Sequence, residues 1–202
     1  MKLLKIGVLI AVAVAALVAA IVYIGVFDVA ADVPHWALTY RVMEVIRDRS
    51  ISVRVKEIQV PPLDDPKLVA DGAKDYADMC TGCHLAPGVK ESEIREGLYP
   101  QPPDLTEHVH ASPAEMFWVI KHGIKMSAMP AWGKTHDDHR IWSMVAFVQK
   151  LPELTPEQYQ TLVNASDENH HHQHRHGHDK TGGDPEEKRR SHHHDHGASH
   201  KP

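Results

Sequence analysis

Gly72-Ala73-Lys74-Asp75-Tyr76-Ala77-Asp78-Met79-Cys80-Thr81-Gly82-Cys83-His84 runs from a helical pattern straight into two thiols and an imidazole. The chain has 202 residues and two cysteines, and both cysteines lie in this stretch. Two thiols separated by two residues, with a histidine directly after the second, form the attachment pattern of a c-type haem. Each thiol can add to a haem vinyl group as a thioether, and His84 is placed to bind the iron. A structural zinc site would need a second ligand pair at matched spacing, and no further cysteine exists to supply one. A thioredoxin-like redox pair would follow a strand, whereas this pair follows a helix.

Upstream, Asp65-Pro66 is a helix-start signal with proline at the first helical position, and the helix is predicted to run to about Met79. Leu68, Val69, Gly72, Tyr76 and Met79 fall on or near one face. A glycine inside a helix costs up to about 1 kcal/mol relative to alanine, so Gly72 points to another helix in close approach. Downstream, Pro87-Gly88 forces a turn, and Tyr99 to Pro103 reads as an irregular loop. Ser112-Pro113-Ala114-Glu115 is a capping box that opens a helix carrying Met116, Phe117, Val119 and Ile120, ended by His122-Gly123. The loop Ile124 to Lys134 holds Met126, Met129-Pro130 and Trp132-Gly133. Thr135 is expected to cap a last main helix bearing Ile141, Trp142, Val145, Phe147 and Val148, and Thr155-Pro156-Glu157-Gln158 to cap a short one. The reading is an all-α domain over 63–163, built around one haem.

The ends are different. Ile6 to Phe27 is an uncharged apolar run preceded by Lys2 and Lys5, long for a signal-peptide core and about right for a bilayer. Residues 1–28 are therefore expected to be a single-pass anchor, although Val29-Ala30-Ala31 resembles a cleavage site. The lysines hold the N-terminus in the cytoplasm and put the rest in the periplasm of a bacterial inner membrane. That side also suits covalent haem attachment. Residues 29–62 read as a juxtamembrane helix and linker, with Trp36, Tyr40, Met43 and Ile46 at helical spacing, a looser and more extended Ile51 to Val60, and then Pro61-Pro62. The helix faces either the haem domain or lipid headgroups; both use the same amphipathic face. Residues 164–202 are expected to be a disordered tail, since eleven of the 18 histidines lie between His170 and His200 with essentially no large apolar residue. The net charge of −5 and the lack of a long basic block argue against nucleic acid as a partner.

With these elements in place, the central segment resembles a class I c-type cytochrome, similar to the small monohaem domains of membrane-bound dehydrogenases and oxidases. The likeness rests on Gly72-x-x-x-Tyr76 before Cys80-Thr81-Gly82-Cys83-His84, on Gly123 to Gly133, and on Trp142-Ser143-Met144-Val145-Ala146-Phe147-Val148. It implies haem c as cofactor, Cys80 and Cys83 as its covalent attachments, His84 as proximal ligand and a methionine as distal ligand. Both Met126 and Met129 have the chemistry. The resemblance favours Met129, because the ligand precedes proline, and leaves Met126 to pack on the ring; His122 is the rival sixth ligand. It further implies that the Pro87 carbonyl accepts the ring N–H of His84. Tyr99 and Trp132 have donors for the haem propionates and Arg95 has the charge to balance them; the other reading of all three is ordinary wall residues. His108, His110, His136 and His139 read as solvent-facing.

A haem ligated by His and Met has no open position for substrate, which implies an electron carrier, alone or as a subunit of an oxidoreductase complex, rather than an enzyme. From Pro61 to Val163 there are nine Lys/Arg and fifteen Asp/Glu, a net of −6. Lys121, Lys125 and Lys134 nevertheless bracket the Met129 loop, so redox partners are expected to dock there under electrostatic steering. Two alternatives stay open. The tail, through His170, His171, His172, His174, His176, His178, His192, His193, His194 and His196, has the chemistry to bind Cu, Ni or Zn as a metal buffer. A haem sensor or peroxidase would follow if Met129 did not bind iron.

Overall fold

Helix signals carry most of the architecture of the computed structural model, which describes residues 1–107 and 111–165. In chain order the helices are α1 (Lys2–Ile24), α2 (Ala37–Arg54), α3 (Pro66–Met79), the single turn α4 (Thr81–His84), the single turn α5 (Glu93–Glu96), α6 (Pro113–His122), α7 (Asp138–Lys150) and α8 (156–165). Two 3-10 turns, Trp132–Lys134 and Leu151–Glu153, flank α7. No strand occurs among the described residues, so the fold is all-α as expected. The histidines of the tail, together with His108 and His110, lie outside the described residues.

The caps show why the helices start where they do. Asp65 accepts from Lys67 N at 2.9 Å with Pro66 at the first helical position. Ser112 and Glu115 complete a reciprocal capping box on α6. Thr155 and Gln158 do the same for α8, at 2.9 and 3.3 Å. The cap of α7 differs from expectation: Asp137, not Thr135, accepts from Arg140 N at 2.8 Å. The Thr135 hydroxyl instead donates to the Trp132 carbonyl at 3.3 Å and so closes the preceding 3-10 turn.

Two helices make the core. α3 and α7 cross with Gly72 against the backbone of Ser143; any Cβ at Gly72 would run into the Ser143 carbonyl. That close approach answers the glycine in the middle of α3. Around the crossing, Val69, Ala73, Tyr76, Ile141, Met144, Val145, Phe147 and Leu151 are buried together. Tyr76 and Phe147 pack with ring centroids 5.4 Å apart, and Phe117 of α6 stacks on Trp142 at 4.2 Å. Asp75, only 5% exposed, is met by a fork from Arg140, with both N–O distances at 2.6 Å.

α1 is an apolar helix with no buried residue, and its length and composition suit a membrane span. α2 corrects two expectations. It continues through Ile51 to Arg54, where an extended segment was expected. Its inward side carries Tyr40, Glu44, Arg47 and Ile51, and it rests on α6. Of the expected apolar stripe Trp36, Tyr40, Met43 and Ile46, only Tyr40 turns inward; the other three are exposed. Residues 40, 44, 47 and 51 share one face of a 3.6-residue helix; Ile46 falls on another side, Met43 at the edge of that face, and Trp36 lies before the first helical residue.

Candidate haem site

α3 delivers the cysteines. Its last turn passes into α4 without a break: Cys80 N donates to Tyr76 O at 2.9 Å, and His84 N donates to Cys80 O at 2.8 Å. Both cysteines are half-buried and free of disulfide. Burial pushes the Cys80 thiol up to about 12, with Asp75 and Cys83 adding to the shift, so Cys80 stays a neutral thiol in the folded chain. Immediately after His84 the chain reverses at Leu85, which is buried and has a φ of 65°. Tyr76 holds that reversal: its hydroxyl donates to Leu85 O at 2.8 Å and lies 3.3 Å from His84 O. Burial drives the Tyr76 phenol well above its ordinary value.

The partner of His84 is not the proline the resemblance implied. Nδ1 lies 2.9 Å from the carbonyl of Pro103, not of Pro87. The turn at Leu85 sends Pro87-Gly88 away toward the C-terminal segment, where a Cβ on Gly88 would stand 3.0 Å from Pro156 Cγ. The loop 99–106 takes that place instead. Its prolines have no N–H to spend on helix, and their carbonyls remain available as acceptors. Arg95 Nε donates to Pro102 O at 3.2 Å, Leu105 N to His84 O at 3.2 Å, and Ser92 Oγ to Gly82 O at 2.5 Å. A carbonyl only accepts, so Nδ1 carries the ring proton and Nε2 keeps a lone pair for a metal. Burial lowers the His84 pKa from its ordinary value; the Pro103 carbonyl opposes the shift, while Arg95 adds to it. The imidazole is thereby kept in the neutral form that coordination requires.

On the other side of the sequence, the two methionines are separated by their surroundings. Met126 is 89% exposed with a φ of 60°, so no protein group covers it. The loop turns outward there, Ser127 N donating back to Ile124 O at 3.2 Å. Met129 is half-buried, and its backbone is clamped: its N–H donates to Ser127 Oγ and its carbonyl accepts from Ile124 N, both at 3.2 Å. Gly123, with a φ of 66°, lies so close that a Cβ would come within 2.7 Å of Met129 O. His122 is exposed and packs beside Trp118 on the outside of α6.

The remaining candidates scatter. The Tyr99 ring lies against His35 and Tyr40, at 5.4 and 6.3 Å, which ties this residue to α2. Trp132 is half-buried and meets His136 edge-on at 5.5 Å. His136 was expected to face solvent, yet its Nε2 is buried without a hydrogen-bond partner and its Nδ1 is 2.8 Å from Thr135 Oγ1. The cause is that residues 132–136 form a closed turn ahead of α7 rather than the first turn of that helix. His139 is exposed. Lys125 and Lys134 are exposed, but Lys121 is bound to Asp138 at 2.6 Å and lies over the Phe117 ring. No cluster of three or more His, Cys, Asp or Glu that would hold a separate metal ion occurs among the described residues.

Residues 67–148 match the family model described as cytochrome C oxidase, cbb3-type, subunit III. This segment is a class I c-type cytochrome domain. No curated protein matches the chain. The class implies haem c and an electron-transfer role, and the residues of the cytochrome domain fit the group by the chemistry of their donors. Two unpaired thiols stand one helical turn apart, and an imidazole with its distal nitrogen free follows them. Sequence reasoning missed Pro103, Ser92 and the Asp75–Arg140 pair. The proline-rich run signalled an acceptor-rich loop, but nothing local said which carbonyl would reach His84.

Proposed function

We propose that the protein is a membrane-tethered, periplasmic electron carrier with one haem, held by Cys80 and Cys83, ligated by His84 and Met129, and anchored through α1. The observation that carries this reading is the His84 ring, fixed through Nδ1 by Pro103 and presented directly after two free thiols. Bound haem c supplies a one-electron couple. The chain's own work is to hold His84 at one angle, to keep it neutral, and to offer the Met129 thioether from a clamped loop. Pro130 keeps Met129 extended, which supports it over Met126. Trp132 and Arg95 are assigned to the propionates; Arg95 is the stronger candidate, because it stands beside His84 and has donors beyond its bond to Pro102.

Visible spectra of the haem-loaded protein, oxidised and reduced, test the assignment. The weak near-red band of an iron–sulfur bond is expected. A high-spin spectrum would overturn Met129 as ligand and favour a sensor or peroxidase.

Redox partners, alone or within an oxidoreductase complex, are proposed to dock beside the Met129 loop through Lys125 and Lys134. Lys121 belongs to the same edge, and its surface ion pair with Asp138 at 2.6 Å reduces its share of the steering. Reversing Lys125 and Lys134 to Glu should slow electron transfer at low salt and flatten its salt dependence, measured by stopped flow. An unchanged salt dependence would remove the docking site.

The ten tail histidines from His170 to His196 support a separate, auxiliary role in binding Cu, Ni or Zn. Deleting residues 167–202 should abolish metal uptake and leave haem reduction intact.

A further inference from the structure

We propose that α2 lies on the bilayer surface and holds the cytochrome domain on its opposite side, so that the haem domain is oriented as well as tethered. This proposal rests on the reading of α1 as a membrane anchor.

The two sides of α2 are unlike. Tyr40, Glu44, Arg47 and Ile51 face the protein, and the inward side rests on α6 and, through Tyr40, on Tyr99. The opposite side carries Leu38, Val42, Val45, Ile46 and Val53, spaced by three, four or seven residues along one face. These side chains are open: Leu38 is 76% exposed, Val45 62% and Ile46 56%. A soluble domain would place polar residues there and turn the apolar face inward; this helix does the reverse. The polar inward side has its own partners, since Arg47 is bonded to Asp48, and Tyr40 meets Tyr99.

A lipid surface is the occupant that the surroundings favour. α1 ends at Ile24 and α2 begins at Ala37, so a short linker keeps the apolar face within reach of the membrane that α1 is built to cross. Trp36 stands exposed at the start of α2, as an aromatic anchor does at headgroup depth. Arg41 and Arg49 are exposed beside and within the apolar row, where long side chains can bury their stems and reach lipid phosphates. The cytochrome domain then rides about one helix diameter, roughly 10 Å, above the lipid. Tyr99 opens the loop that holds His84, and it sits directly on this cradle.

The test uses the full haem-loaded chain in anionic phospholipid vesicles, with one added cysteine per variant as a fluorophore site: Leu17→Cys in α1, Val45→Cys on the open face, Lys90→Cys on the exposed domain surface. The native cysteines are consumed by haem, so the label goes to the added one. Quenching by a water-soluble agent should be lost at position 45 as at position 17, and retained at position 90. Adding Val42→Glu and Ile46→Glu, both at exposed positions, should restore quenching at 45. Protection at 17 with full quenching at 45 overturns the proposal and leaves the anchor standing. Quenching at both positions overturns the anchor, and the proposal with it. Protection at 45 that disappears on dilution to one protein per vesicle identifies a second copy as the occupant and also overturns the proposal.

Discussion

The loops beside the two expected iron ligands are held in opposite ways. The loop beyond His84 is fastened to the helices around it: Pro103 to the His84 ring, Leu105 to the His84 carbonyl, Pro102 to Arg95, and Ser92 to Gly82. The loop carrying Met129 is bonded mainly to itself, through Ile124, Ser127 and Met129, and its residues 125–128 are exposed. Hydrogen bonds between distant segments fix one segment against another, whereas bonds within a six-residue loop shape the loop and leave its position to packing. The histidine side is thus pre-set by the fold, and the methionine side is the one expected to open first under stress.

The largest effect should come from Met129→Leu. It is expected to abolish the near-red band completely while the thioether-bound haem and the cooperative unfolding of α3 and α7 persist, checked by visible spectra and circular dichroism. If the helices melted as well, the two sides would be one unit and the comparison would fail.

Asp75→Ala acts on the α3–α7 pair rather than on either loop. Asp75 is buried but Arg140 is half in water, so the loss should be about 1–3 kcal/mol in urea unfolding rather than the larger cost of a fully buried charge. Both the iron–sulfur band and the helical signal should shift together.

Tyr76→Phe tests the histidine side alone. Losing the bond to Leu85 should cost about 0.5–1.5 kcal/mol. Because burial raises the phenol in the folded chain, the unfolded chain releases its proton first as pH climbs past the ordinary tyrosine value. The stabilisation from neutral Tyr76 is therefore complete below about pH 10 and is lost progressively above it. The Phe variant should show a shallower fall in stability on the alkaline side, measured by thermal melts across pH.

Ser127→Ala is the smallest. It removes a hydroxyl that accepts from Met129 N and donates to Ile124 O in an exposed loop, so global stability should change by less than about 1 kcal/mol. The iron–sulfur band should nevertheless be lost at a lower temperature than in the parent. A band that melts with the fold in both proteins would show that the methionine loop is not separately mobile.

Much of this molecule was legible from local signals. The Cys80–His84 motif, the caps at Asp65, Ser112 and Thr155, and the glycine facing Ser143 were each readable within a few residues, because capping and helix geometry act over one turn. The misreadings arose where two local answers were equally good. Thr135 and Asp137 are both capping residues, and the closed turn at Trp132 consumed the first. Pro87 and Pro103 both offer a carbonyl, and the reversal at Leu85 decided between them.

By itself, then, the sequence determined the cofactor chemistry, the all-helical class and the apolar N-terminal helix, since each depends on residues close together in the chain. Tertiary structure decided which carbonyl orients His84, which buried carboxylate meets Arg140 from 65 residues away, and which side of α2 is left open. These choices depend on how α3 and α7 cross and where the chain turns back, and only the packed fold brings such distant groups within bonding distance.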